Sequence, residues 1–409
     1  MSSEQRSELN LGHLRVFLLV GQLGSITRAA SQLFRAQSAV TRSVQELERA
    51  LEEALLERHA AGVSLTPVGK VVVERTRRVF TELQALTQWC ALRRQVKVPA
   101  GVPATLLNTR RLMIASVLAR SRHMPSAAQT LGVTQPAVSS AIRILESATG
   151  FPIFTRTTRG VRLTEEGETF VLYVRRALNE LRHVRDDIAA VQGHIRGHVT
   201  VGALPLSRTT LLPEAIALMH GDFPGVQIAT DESAYENLVA SLLAGDIDLI
   251  LGALRADAAP MGLRSEYLIS TNLAVLARHG HPLTQLSDLT LHDLSNAHWI
   301  LPRSNTPSRA SLDRLFLRKK LKPPVPAVET ADLAIIRGLL LASDMIAAIP
   351  AEQLRYECDN GTIARLDITL PDTAREIGIT TRTGSDPSAA SRKFIEAVRT
   401  VADKLTTAR

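Results

Sequence analysis

Apolar residues in the first half of the chain recur every three to four positions, and short polar turns cut the runs in an order that predicts a definite series of elements. From Ser126 to Leu131 the pattern is a short helix, with Gly132-Val133 as its turn. Thr134 then stands as the N-cap of a second helix, where its hydroxyl can accept an otherwise unpaired backbone N–H, and Pro136 falls in the first turn, where a missing N–H costs little. Along that helix Ala137, Val138, Ala141, Ile142 and Leu145 share one face, while Gln135, Ser139 and Arg143 step by four along another. Residues 153–163 follow as a small hairpin with a basic tip at Arg156 and Arg159, and Thr164 caps a long helix carrying Glu165 and Glu166 in its first turn, as the helix dipole prefers. Two helices joined by a tight turn, the second opening on small polar residues, make a helix-turn-helix. Such a helix can offer Thr134, Gln135, Pro136, Ser139, Ser140 and Arg143 to base edges in a major groove, with the hairpin as a wing suited to phosphates.

The same pattern occurs twice. Shifted by 98 residues without a gap, Ala29-Ala30 becomes Ala127-Ala128, Gln37 becomes Gln135, Leu47-Glu48 becomes Leu145-Glu146, and Leu65-Thr66 becomes Leu163-Thr164. Two copies are too few for a solenoid, so the repeat predicts a tandem pair of small domains. The first copy departs where Phe34 replaces Gly132 and Ser38 replaces Pro136, and its wing tip, Arg58-His59-Ala60-Ala61-Gly62, is shorter on charge. Its candidate DNA contacts are Arg35, Gln37, Ser38, Thr41, Arg42 and Arg58. Whether this copy reads bases, grips phosphates or only contacts its partner is left open by the sequence.

The string from Ala127 to Ser139, followed by Phe154-Thr155-Arg156 and Leu163-Thr164-Glu165-Glu166-Gly167, resembles the winged helix-turn-helix of LysR-type transcriptional regulators. The resemblance covers residues 106–409 in the usual order, with the first copy as an extra, more divergent head. It implies a DNA-binding regulator whose carboxy-terminal half is a periplasmic-binding-protein-like effector domain, and a dimerisation role for the helix after the wing.

Charge divides the chain in the same way. Residues 1–193 hold 26 Lys and Arg against 16 Asp and Glu, while residues 194–409 hold 22 against 24. A basic excess confined to the repeat is the footprint of phosphate binding. Two cysteines, Cys90 and Cys358, lie far apart without metal-ligand spacing and read as buried thiols; no cofactor is expected. The absence of a long apolar run and of a signal-like h-region after Met1-Ser2-Ser3-Glu4-Gln5-Arg6 argues for a cytoplasmic protein with no membrane partner.

Boundaries follow from the breaks. The expected units are a first winged head over 9–79, a helix and linker over 80–105, a second head over 106–166, and a long helix over 167–193. Val174, Leu178, Leu181, Ile188 and Val191 form a seam on that helix, longer than a small winged domain can cover. This predicts a partner helix from another copy, hence a homodimer or homotetramer.

From His194 strands alternate with helices, predicting parallel pairing with right-handed crossovers in two α/β halves. The fold class is therefore multidomain: two α-rich winged helix-turn-helix domains, then an α/β effector domain of two subdomains. Subdomain I spans 194–271 plus 384–409 and subdomain II spans 272–383, with crossings near 269–273 and 381–385. A small molecule, with a carboxylate favoured, is expected in the cleft at the strand ends. Its candidate contacts are Leu206, Ser207, Arg208 and Thr209 beside Pro205, then Arg303, Ser304, Asn305 and Thr306 across the cleft, with Thr230 and Thr330 on the floor. No Ser/His/Asp grouping, Walker loop or dinucleotide fingerprint stands at the strand ends, so the expected function is regulation and not catalysis. The alternative is a binding protein or enzyme on the same cleft, with the heads used for assembly.

Overall fold

The computed structural model describes residues 8–60, 62–255 and 258–407. Ala61 of the first wing tip and the stretch Met1–Arg6 lie outside them. Each copy of the repeat folds as three helices, a hairpin and a long helix: α1 (Leu11–Leu23), α2 (Ile26–Gln32), α3 (Gln37–Leu51), β1 (Leu56–His59), β2 (Gly62–Leu65) and α4 (Pro67–Arg93), then α5 (Thr109–Ser121), α6 (Met124–Leu131), α7 (Gln135–Thr149), β3 (Phe154–Thr157), β4 (Gly160–Leu163) and α8 (Glu165–Val191).

The two copies repeat their hydrogen bonds as well as their elements. Glu48 Oε1 accepts from the backbone N–H of Leu55 at 2.8 Å and of Leu56 at 3.3 Å; Glu146 Oε1 accepts from those of Ile153 at 2.9 Å and Phe154 at 3.1 Å. Thr66 caps α4 by accepting from Gly69 N–H at 2.9 Å, and Thr164 caps α8 by accepting from Gly167 N–H at 2.8 Å. At the helix-turn-helix corner the backbone is left-handed in both, with φ of 52° at Phe34 and 60° at Gly132. Glycine takes that conformation freely, whereas a Cβ there costs roughly 1 kcal/mol, and Phe34 bears it with its ring 96% exposed.

α4 and α8, each 27 residues long, lie against one another in opposite directions. Arg93 at the end of α4 pairs with Glu166 at the start of α8 at 2.7 Å, and Arg75 near the start of α4 pairs with Glu180 toward the end of α8 at 2.6 Å. One continuous apolar core runs from Leu9 and Phe17 through Leu83 and Leu86 to Leu145, Phe170, Leu181 and Ile188. This corrects the expectation about the seam on α8. Val174, Leu181 and Ile188 are buried and Leu178 is half-buried in the core shared with α4, so the partner helix comes from the same chain; Val191 remains 42% exposed.

The carboxy-terminal half contains two five-stranded sheets. The first is built from β5 (Gly197–Ala203), β6 (Val226–Asp231), β7 (Leu249–Ala253), β8 (Leu263–Thr271) and β14 (Arg375–Arg382), in the order β6-β5-β7-β14-β8. β5, β6 and β7 are parallel and β14 runs against both β7 and β8. The second holds β9 (Ala274–Arg278), β10 (His298–Leu301), β11 (Pro326–Glu329), β12 (Met345–Ile349) and β13 (Ile363–Arg365), in the order β11-β10-β12-β9-β13. Helices α9 (Leu211–Asp222), α10 (Tyr235–Ala244) and α14 (Ala389–Thr407) accompany the first sheet, and α11 (Pro307–Arg318), α12 (Leu333–Ala342) and α13 (Arg355–Asp359) the second.

The chain first passes from one sheet to the other between Thr271 and Ala274. The second passage departs from the expected 381–385. β14 buries Ile377 and Ile379 in the core of the first sheet, so the return occurs between Arg365 and Arg375, and residues 375–383 leave the second unit for the first. Cys90 is buried and Cys358 half-buried. Burial pushes the Cys90 thiol up to about 11. Among the described residues no helix is long and apolar enough to cross a membrane.

Candidate functional sites: paired helix-turn-helix surfaces and an arginine-lined cleft

On α7 the apolar stripe Val138, Ala141, Ile142 and Leu145 is buried, which turns the other face outward. Gln135, Pro136, Ser140 and Arg143 are exposed, Ser139 is half-buried, and Thr134 accepts from Ala137 N–H at 3.4 Å as the cap. Arg156 and Arg159 are exposed on the β3–β4 hairpin. The hairpin is docked by backbone: Val161 N–H donates to the carbonyl of Arg122 at 2.8 Å, and a Cβ on Gly160 would meet that oxygen at 2.3 Å. In the first copy Val40, Val44 and Leu47 are buried, leaving Arg35, Gln37, Ser38 and Arg42 exposed with Thr41 half-buried, and Arg58 is exposed on β1. Its hairpin docks the same way, with Val63 N–H donating to Gly24 at 3.2 Å. Both faces can therefore hydrogen-bond to base edges, and both wings can meet phosphates.

The second site is a cavity of about 150 Å³ between the two sheets. Leu204, Pro205, Leu206, Ala253, Arg255 and Arg375 close it from the first sheet, and Thr306, Ser308, Thr330, Leu333, Ile336, Ile349 and Gln353 from the second. The walls are largely apolar, with a few polar groups converging, which is the usual make-up of a small-molecule site. Arg255 and Arg375 each bury an Nε that has no hydrogen-bond partner. The Arg255 guanidinium rests over the Tyr235 ring at 4.7 Å. Burial, and then the like charge of Arg255, lower the pKa of Arg375. Gln353 Nε2 donates across the cleft to the carbonyl of Pro205 at 3.2 Å. Such a site is short of negative charge.

Of the ten expected contacts, Leu206, Thr306 and Thr330 line the cavity and seven do not. Ser207 is fully buried with its hydroxyl 2.9 Å from the carbonyls of Leu204 and Leu251, and Arg208 donates to Ala203 at 2.8 Å and Glu232 at 3.0 Å; both side chains are occupied in holding the loop after β5. Thr209 follows that loop outside the cavity. Thr230 is exposed on the edge strand β6, and Arg303, Ser304 and Asn305 point to solvent before α11. The missed residues had a signal in one case. Arg255 stands just after β7, so the strand-end rule applied to β5 and β10 reaches it too. Arg375 opens β14, which runs antiparallel to both β7 and β8, so its first residue lies beside their last residues.

Among the described residues no group of three or more His, Cys, Asp or Glu is placed to hold a metal ion. A family model described as the LysR substrate binding domain matches residues 192–403, and one for the bacterial regulatory helix-turn-helix protein of the lysR family matches twice, at 11–70 and 109–168. The chain belongs to the LysR family of transcriptional regulators. It is 43% identical over 392 residues to the HTH-type transcriptional regulator GalR of Pseudomonas putida, an alignment covering 96% of this chain and 97% of that protein. To the regulator PcaQ of Agrobacterium fabrum it is 30% identical over 291 residues, 70% of this chain and 93% of that one. The LysR fold also links it to solved structures. A full-length OxyR variant from Pseudomonas aeruginosa gives a TM-score of 0.57 at 23% identity, covering 71% of this chain and 97% of that one. Full-length CbnR complexed with its target DNA gives 0.53 at 22% identity, covering 72% and 99%. A LysR-type architecture, a helix-turn-helix domain followed by a substrate-binding domain with mixed sheets, is thus that of this chain.

Proposed function

We propose that both amino-terminal units are winged DNA-reading heads, over 9–79 and 106–166, joined by helices and a linker over 80–105 and 167–193. The remainder, 194–409, is then an effector domain of two subdomains, 194–271 with 375–409 and 272–374. Gln135, Ser139, Ser140 and Arg143 with Thr134 and Pro136 meet bases and nearby backbone, and Arg156 and Arg159 grip phosphates. Gln37, Ser38, Thr41, Arg42 and Arg35 do the same from the first head, with Arg58 on its wing. The effector is an organic anion small enough for a cavity of about 150 Å³. The observation that carries this reading is the pair of buried, unpartnered Nε groups on Arg255 and Arg375 at one cavity, in a chain whose positive excess otherwise sits in the heads. The anion regulates because it binds the closed cleft better than the open one, and the closed cleft holds the heads differently. No catalytic step and no cofactor is required, and the protein works where the chromosome is, in the cytoplasm. GalR and PcaQ are named as transcriptional regulators, which supports the same role here.

The test is a gel-shift titration of full-length protein on duplexes from its genomic neighbourhood, across a salt series, with and without a panel of mono- and dicarboxylates. Affinity should fall steeply with salt and at least one acid should shift it. Salt-insensitive binding, or indifference to every acid together with no heat on mixing, would overturn the reading.

A further inference from the structure

We infer that a single chain carries a complete two-head reading unit, and that the DNA it reads is a pair of unlike half-sites in a fixed order. This deepens the DNA-binding reading above and rests on it.

The argument begins with the helix pair. α4 and α8 are equal in length and antiparallel, and the middle residues, Phe80 and Leu178, occupy corresponding positions in the repeat. Ion pairs hold the ends and flanks in register: Arg93 with Glu166 at 2.7 Å, Glu82 with Arg176 at 3.9 Å, Arg75 with Glu180 at 2.6 Å. Two copies of one unit joined through equivalent helices running oppositely are related by an approximate two-fold axis through those midpoints. B-DNA has local two-fold axes of its own, so a two-fold pair of recognition helices matches two inverted half-sites on one duplex, separated by whole helical turns.

Other contacts make the pair one body. Thr109 Oγ1 donates to the carbonyl of Leu9 at 2.7 Å, Trp89 meets Phe151 edge-on with ring centroids 5.4 Å apart, and one apolar core serves both copies. The relation between the heads is therefore set during folding of one chain, without a second copy on α8.

The reading faces are not equal. Gln37 and Gln135 correspond, but Arg35 stands where the second head has Val133, Ser38 where it has Pro136, Arg42 where it has Ser140, and Gln45 where it has Arg143. Arginine at an exposed recognition position favours guanine and glutamine favours adenine, so unlike faces select unlike half-sites. A duplex read this way has a direction, which an inverted repeat lacks.

The experiment is selection of bound sequences by the full-length protein from a random duplex pool, repeated with Gln37→Ala and Gln135→Ala, both at exposed positions, each variant's fold being checked by its thermal unfolding. The wild type should enrich two different elements at fixed spacing and order. Each variant should relax one element only and lower affinity for the wild-type site about tenfold. Two identical inverted elements, both relaxed by Gln135→Ala and neither by Gln37→Ala, would overturn the inference while leaving DNA binding intact. So would a single isolated element. Failure to enrich any duplex would instead remove the DNA-binding reading itself.

Discussion

Arg75 of α4 donates from Nε to Asp187 Oδ2 of α8 at 2.5 Å, in a site where Arg75 is only 2% exposed. Its other nitrogens reach Glu180 at 2.6 Å and the carbonyls of Asp386 at 2.9 Å and Pro387 at 3.2 Å, while Asp187 Oδ1 accepts from Ala389 N–H at 3.1 Å. One guanidinium thus joins the first head's long helix, the second head's long helix and the segment leading into α14. Position 173, its counterpart in the repeat, is Tyr. Arg75→Met leaves two buried carboxylates without their cation and should cost about 3–5 kcal/mol in chemical unfolding. Arg75→Lys should recover little, because an ammonium cannot present the same planar fork. Near-wild-type stability of Arg75→Met would remove this account.

Asp186, one residue earlier, has its pKa raised to about 6, chiefly by burial. Its unfolded value is near 3.8, so between the two values the folded chain holds a proton that the unfolded chain has released. The associated stability is fully present below pH 3.8 and is lost as pH rises through 6. Asp186→Asn should therefore stabilise the protein above pH 6, by roughly 2–3 kcal/mol, and make no difference near pH 3.5. Unfolding curves of both proteins at a series of pH values decide it; a constant difference between them would show that the carboxyl is not the cause.

Two helical glycines should respond oppositely to alanine. A Cβ on Gly167 would lie 2.0 Å from the carbonyl of Ile153, whereas one on Gly338 in α12 meets nothing within 4 Å. Gly338→Ala should gain up to about 1 kcal/mol from helix propensity alone. Gly167→Ala must push α8 off the wing and should lose roughly 1–3 kcal/mol, with weaker binding to DNA. Denaturant midpoints compared with duplex affinity test both.

Arg375 is half-buried, feels the like charge of Arg255 and leaves its buried Nε–H unsatisfied. Arg375→Met should raise the melting temperature of the ligand-free protein, a gain of about 1 kcal/mol, because an unpaired buried donor is removed. Calorimetry should show the same variant binding organic acids at least tenfold more weakly. A variant less stable and equally tight would mean that Arg375 supports the fold and not the ligand.

Much of this molecule was legible in the chain. Helices α6 and α7, both hairpins and the caps Thr66 and Thr164 follow from local rules: apolar spacing, a turn glycine, a hydroxyl before a helix. What was missed depends on pairing between distant segments. The seam on α8 shows that a helix must be covered but not by which chain, and α4 carries an equally suitable stripe 98 residues earlier. β14 reads as a strand, yet nothing local says which sheet it joins. The loop residues Arg303, Ser304 and Asn305 looked available for a ligand because polar loop residues always do, while Arg255 and Arg375 acquire their setting only when β7 and β14 lie side by side.

Two copies that meet across a symmetry axis as separate molecules must each be complementary to themselves, so any change is made twice. Joining them in one reading frame lifts that condition. A residue on α4 can then differ from its equivalent on α8, as Arg75 differs from Tyr173, and each copy becomes free to change by itself, with the ratio between the two fixed at translation.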